Sequence, residues 1–218
     1  MKAAATPYHH GALRDALVQA TESLLDEQGA EAFSLREVAR RAGVSPAAPA
    51  HHFGDAAGLL TAVAEGGFAE LTQALRAADA RGGPDARAAL RGQGVAYVHF
   101  AMAHPGRFRL MFRQGKLRDE PGLHAQADEA FAVLLGGVCR AVGVADPAQL
   151  QPAHWQALTG LWALVHGYAH LAIAGKLELI AGEGGLEAFV QQGLEPMLDA
   201  AIAGLMGPPP RRPSMMRR

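Results

Sequence analysis

Three features of the sequence predict an all-α fold. Alanine, the strongest helix former, is very frequent. Runs of Val, Ile, Thr and Tyr of the kind that build strands are nearly absent. Apolar residues recur at helical spacing through most of the chain. Half of the 218 residues are hydrophobic and 19% are charged. That is enough to bury a core in one large domain or two small ones, and too apolar for global disorder.

The first helix is expected over about residues 11–28, where Leu13, Leu17, Ala20 and Leu24 share one face and Gly29 follows as a terminator. The second opens at Ser34-x-x-Glu37, a capping box in which the Ser34 hydroxyl takes the Glu37 N–H and the carboxylate reaches back. Leu35, Val38, Ala39 and Ala42 form its apolar stripe, with Arg36, Arg40 and Arg41 off it. Gly43-Val44-Ser45 makes a turn. A short third helix is expected from Pro46 to His52, with Ser45 as N-cap and a distorted first turn because Pro49 falls inside it. A fourth helix runs from about Asp55 to Ala80 and ends before Arg81-Gly82-Gly83-Pro84. Further helices are expected over 86–103, 107–113, 122–142, 152–175 and 185–206. The Pro- and Arg-rich tail after Gly207 is expected to be disordered.

Helices two and three, joined by a three-residue turn and preceded by another helix, have the spacing of a helix-turn-helix, which an ordinary helical hairpin shares. The domains expected are 1–55 for the helix-turn-helix, 56–83 for a connecting helix, 84–207 for a C-terminal helical bundle and 208–218 for the tail.

The residues carry more than the spacing. The string from Ser34 to Ser45 (SLREVARRAGVS), His52-Phe53, Leu59-Leu60 and the opening Tyr8-His9-His10-Gly11-x-Leu13-Arg14 resemble the TetR/AcrR family of regulators. Trp162-x-x-x-His166-Gly167 resembles the tryptophan–histidine–glycine signature of one branch's ligand domain, and Tyr97, Phe100, His104-Pro105 and residues 108–112 fall in its pattern. The resemblance implies a DNA-binding head, a helical domain that takes a small-molecule effector, and a homodimer joined through the last two long helices. It implies a double-stranded DNA operator as partner, read by two recognition helices about 34–36 Å apart. The DNA-contact candidates are Arg36, Arg40, Ser45, Pro46, Ala47, Ala48, His51 and His52. The candidates to line an effector pocket are Tyr97, Phe100, Phe108, Met111, Phe112, Trp162, His166 and His170. Where the family carries a phosphate-touching Tyr and Lys, this chain has Ala50 and Ala56.

Charge and cysteine usage set further bounds. The net charge is −1. Within residues 1–53, Lys2, Arg14, Arg36, Arg40 and Arg41 face Asp15, Glu22, Asp26, Glu27, Glu31 and Glu37, so the head is not net basic. One cysteine, Cys139, permits no internal disulfide and suits a reducing cytoplasm. Residues 1–10 lack the apolar run of a signal peptide. The most apolar stretch, residues 158–173, is shorter than the roughly 20 residues of a membrane span. His166 and His170 stand four apart, with His99, His104 and His154 as further candidates, but without Cys or Glu nearby this is a weak metal pattern, and no metal or cofactor is expected.

The leading reading is a non-enzymatic, ligand-responsive repressor. One alternative is a dimeric ligand-binding protein with lost or weakened DNA binding, motivated by Ala50 and Ala56. Another is a small helical enzyme using these histidines with Glu178 or Glu183, for which no nucleophile–base pair or phosphate loop is present.

Overall fold

The computed structural model describes residues 9–31, 33–113 and 115–207, with side chains from residue 12 onward. The tail, residues 208–218, lies outside the described residues. The elements are helices α1 (His9–Gln28), α2 (Leu35–Arg41), α3 (Ala48–Phe53), α4 (Ala56–Gly82), α5 (Ala86–Ala103), α6 (Pro105–Met111), α7 (Pro121–Val142), α8 (Pro152–Ile173), α9 (Glu178–Ala181) and α10 (Gly185–Met206), with no strand among the described residues. The chain divides into two compact units. The first holds residues 1–70 and 104–127, the second 71–103 and 128–218.

In the first unit, α1 buries Leu17, Ala20, Leu24 and Leu25. The Gly29 N–H, with φ 70°, bonds to the Leu25 carbonyl at its end. Ser34 caps α2 as expected, accepting the Glu37 N–H at 3.2 Å. The reciprocal half of the box is absent, because the Glu37 carboxylate is taken by Arg40 at 2.5 and 2.8 Å. After α2 the Val44 N–H bonds to the Ala39 carbonyl and the Gly43 N–H to the Arg40 carbonyl, a Schellman closure that requires Gly43 at φ 68°.

The third helix starts two residues later than the sequence suggests. The Ala48 N–H closes a turn on the Ser45 carbonyl, so Ala47 precedes the helix and Pro49 falls in its first turn. There its missing N–H has no helical partner to lose. Two other boundaries shift for the same reason. Pro105 and Pro121 each begin a helix one or two residues before the expected start. At the other end, α8 stops at Ile173 and closes through Gly175 and Lys176, whose N–H groups bond to the Ala172 and Leu171 carbonyls. Residues 176–184, unassigned from sequence, hold α9 and a 3₁₀ turn over Gly182–Gly184.

The short helix α6 belongs with α1 in the first unit, and the reasons are specific. Gly106 sits where a Cβ would meet the Leu25 and Asp26 backbone. Its N–H bonds to the Asp26 carboxylate at 2.6 Å. Arg107, only 6% exposed, reaches Glu22 at 2.7 Å and Glu70 at 2.6 Å. Further on, Arg113 and Lys116 both pair with Glu31.

The second unit is packed mainly by apolar contact. Leu90 of α5, Val138 and Ala141 of α7, Leu158 and Leu161 of α8 and Ile202 of α10 form its core, with Phe131, Leu134 and Leu135 against it.

Candidate nucleic-acid interface and effector site

The faces of α2 and α3 follow from what each helix buries. Val38 and Ala39 turn inward from α2, and Pro49 and Phe53 from α3. The outward side is therefore fixed: Arg36, Ser45, Pro46, Ala47, Ala50 and His51 are exposed, while Ala48 and His52 are half-buried. His51 and His52 meet edge to face, with ring centres 5.4 Å apart. His52 also lies 6.4 Å from the Phe53 ring, and the Arg14 guanidinium sits over that ring, 5.2 Å from its centre.

The arginines of α2 divide by partner. Arg36 is exposed and has no ion pair among the described residues. Arg40 is held bidentately by Glu37, which raises its pKa and lowers that of Glu37. Arg41 is held in the same way by Glu27 at 2.6 and 2.7 Å. Of the two candidate arginines, Arg36 is the one left open to an outside anion.

The acidic residues of the head also have assignments that a count along the chain does not show. Glu22 pairs with Arg107, Asp26 with the Gly106 N–H, Glu27 with Arg41, Glu31 with Arg113 and Lys116, and Glu37 with Arg40. Three of those five are met from residues 106–116, which the sequence alone places in the other domain.

The effector candidates separate into two groups. In the second unit, Tyr97 of α5 places its Oη 2.8 Å from Nδ1 of His166 on α8, and the His166 and His170 rings lie 4.6 Å apart. Burial pushes the Tyr97 phenol well above its ordinary pKa. Burial first, and then the neighbouring His170, lowers that of His166. Both effects favour neutral groups at the two ends of this hydrogen bond. Trp162, 40% exposed, lies 5.7 Å from the Phe131 ring, and Phe100 is buried. The other group belongs to the first unit: Phe112 packs on Phe108 and Phe68 at 5.1 and 5.5 Å, with Phe108 fully buried and Met111 nearly so. Phe108 and Met111 are core residues of that unit, and Phe112 is half-buried beside Phe108.

Two features escape a reading of the sequence. An open cleft of about 270 Å³ lies in the second unit between α5 and α10, lined by His99, Met102, Ala103, Glu187, Val190 and Gln191. It uses the side of α5 away from Tyr97, and no spacing within one helix could pair it with α10. Among the described residues the buried Tyr168 hydroxyl has no hydrogen-bond partner, and burial raises its pKa. Among the described residues no three His, Cys, Asp or Glu side chains are grouped to hold a metal ion. Cys139 is buried, which raises its thiol pKa.

Known proteins resemble the chain over nearly its whole length. Residues 17–63 match the bacterial regulatory proteins of the tetR family, and residues 90–197 match the tetracyclin repressor-like C-terminal domain. A solved protein of unknown function from Rhodococcus sp. RHA1 is 32% identical, covering 90% of this chain and 98% of its own, with a TM-score of 0.69. The chain belongs to the TetR family of transcription regulators. A TetR family regulator from Marinobacter aquaeolei VT8 is 21% identical, covering 90% of this chain and 98% of its own, at a TM-score of 0.66. A TetR variant from Acinetobacter baumannii AYE, solved in complex with minocycline, is 21% identical and covers 88% and 97%, at 0.53. No curated protein matches the chain. In this TetR-family chain α2 and α3 are the helix-turn-helix, within the matched N-terminal domain. No single described helix is long and apolar enough to cross a membrane.

Proposed function

We propose that this TetR-family regulator is a cytoplasmic homodimeric repressor that leaves a palindromic DNA operator when a small molecule binds its C-terminal domain. The observation that carries the reading is the outward face of the helix-turn-helix. Arg36, Ser45, Pro46, Ala47 and His51 are exposed around a short helix whose Pro49 and Phe53 are buried. Small side chains at Ala47 and Ala48 let such a helix sit deep in a major groove, and their methyls fit thymine methyls. Arg36 serves as the phosphate contact, His51 as the base-edge or phosphate contact, and His52 as a support. Arg40 contributes after exchanging Glu37 for a phosphate. The functional division proposed is 1–55 for DNA, 56–83 as lever, and 84–207 for effector and dimer.

For the dimer, the support is a set of exposed apolar groups, Trp155, Trp162 and Leu171 on α8 and Leu205 on α10. These large apolar groups, 40–47% exposed, suit a self-complementary two-fold contact. For the effector, the support is the Tyr97, His166, His170 and Trp162 cluster, aromatic with few polar atoms. The minocycline complex of the Acinetobacter relative is consistent with a small-molecule effector in this family. A ligand bound better by the conformation that does not fit DNA shifts the population and frees the operator.

Selection of fragmented genomic DNA by the purified protein, with titration of the winner at several salt concentrations, tests the proposal. One enriched palindrome, bound less tightly as salt rises, is expected. No enrichment at low salt favours the second reading, a dimeric ligand-binding protein without DNA binding, for which Ala50 and Ala56 are the specific observation. Under that reading Ala50→Tyr with Ala56→Lys restores binding.

A further inference from the structure

We infer that Arg118 is a positioning residue for the recognition helix, strapping the segment between α6 and α7 across the elbow that joins α3 to α4. The inference concerns the first unit, and its consequence for DNA rests on the regulator reading above.

The elbow is built to receive a guanidinium. Recognition helix α3 ends at Gly54, φ 81°, whose N–H bonds to the Ala50 carbonyl at 2.8 Å. Asp55 caps α4 by accepting the Gly58 N–H at 2.9 Å. A Cβ at Gly54 or at Gly58 would meet the Arg118 guanidinium at 3.0 Å, and at Gly58 it would also collide with the Phe53 carbonyl. The two glycines therefore leave a seat that Arg118 fills. The guanidinium pairs with Asp55 at 3.0 Å and Glu120 at 3.3 Å. The Arg118 backbone N–H bonds to the Thr61 hydroxyl at 2.8 Å, and that hydroxyl donates to the Ala57 carbonyl at the same distance. One residue of a loop thus grips the first turns of α4 at two points, Asp55 and Thr61, immediately after the recognition helix.

Charge decides between positioning and direct DNA contact. One positive group faces two carboxylates, so the local balance is negative and repels a phosphate. The Asp55 carboxylate is also held ionised, by the Gly58 N–H and then by Arg118. The strap works by fixing where α3 points relative to α4. A helix of six residues has little rigidity of its own.

Two measurements on the full chain test this. Hydrogen exchange of the free protein needs no DNA. Arg118→Gln should speed exchange of amides in residues 47–61 by about 3- to 30-fold, leave α8 unchanged, and be reversed in part by Arg118→Lys. Unchanged exchange at 47–61 overturns the strap. Titration of the selected operator against salt then reads the consequence. Arg118→Gln should weaken binding by a similar factor with the slope of log affinity against log salt unchanged. A slope smaller by about one overturns positioning in favour of a direct phosphate contact. Unchanged affinity overturns the link to DNA. If the wild-type protein binds no DNA, the regulator reading fails and the exchange experiment still judges the strap. If Arg118→Gln does not fold, Thr61→Val removes the backbone anchor alone, and unchanged exchange in that variant and in Arg118→Lys counts against the strap.

Discussion

Both compact units bury an apolar core, and they differ in the polar links laid over it. The first is stitched by charge as well. Arg107 reaches Glu22 and Glu70, Asp26 takes the Gly106 N–H, Glu31 gathers Arg113 and Lys116, and Arg118 pairs with Asp55. In the second, polar links such as Arg91–Asp199 and Arg140–Asp79 lie outside a core of Leu, Val and Ala from α5, α7, α8 and α10. Ion pairs are directional and demand a partner at one place, whereas apolar packing tolerates sliding and asks only for volume. Under the proposed function, a head that holds one short helix at one angle gains from the first kind of bonding, and a domain that admits a small molecule gains from the second.

The comparison can be broken most severely from the apolar side. Leu158→Ala empties a site in the second unit's core that is only 2% exposed. It should cost about 3 kcal/mol in urea unfolding, with hydrogen exchange rising in α5, α8 and α10 rather than in α1–α3. Equal rises everywhere would mean that the units do not differ in cohesion. Arg107→Met is the matching change in the first unit. Loss of a nearly buried cation strands Glu22 and Glu70, but both carboxylates are partly exposed and can rehydrate. About 2 kcal/mol is expected, below the range for a fully buried pair, with exchange rising in α1 and α6.

Gly106→Ala sharpens the first side further. Its new methyl would press on the Leu25 and Asp26 backbone, which cannot swing aside. The expected loss is about 1–2 kcal/mol, with the Asp26 bond to the Gly106 N–H broken, read by exchange of that amide. The smallest effect concerns pH. Burial lowers the pKa of His166, so the unfolded chain takes up its proton first as pH falls. The stability held by neutral His166 is complete above its ordinary pKa near 6.5 and is lost as pH falls from there toward the lowered value. The melting temperature should thus drop between about pH 7.5 and pH 5.5, and His166→Gln should reduce that drop. A wild-type profile matched by the variant would remove His166 from the account.

Much of this is legible along the chain. Apolar periodicity locates the long helices, and the bounds of α5 and α10 are those the spacing predicts. The Gly43 closure and the Ser34 cap are local hydrogen-bonding problems, solved by residues within five positions of one another. The outward set of the helix-turn-helix is readable for the same reason, since burying Val38, Ala39 and Phe53 leaves Arg36 and His51 outside. Less legible are the prolines. Pro49 reads as a fault inside a helix beginning at Pro46, and becomes harmless once a turn at Ser45 moves the helix start.

The sequence by itself determined the long helices, the Ser34 cap, the helix-turn-helix and the family, because each rests on periodicity, short-range bonding or a recognisable string, whereas the Ser45 cap expected for the third helix is not formed. Only the tertiary structure decided which charges cancel. It brought Arg107 to Glu22 and Glu70, Arg113 to Glu31, and Arg118 to Asp55, joining residues far apart in the chain. It also divided the effector candidates, setting Phe108 and Met111 in the core with Phe68 and Phe112 half-buried against it, while His166 met Tyr97. Spacing fixes which residues share a face of one helix. Which face meets which is settled by packing all the helices at once, and no stretch of the chain contains that information alone.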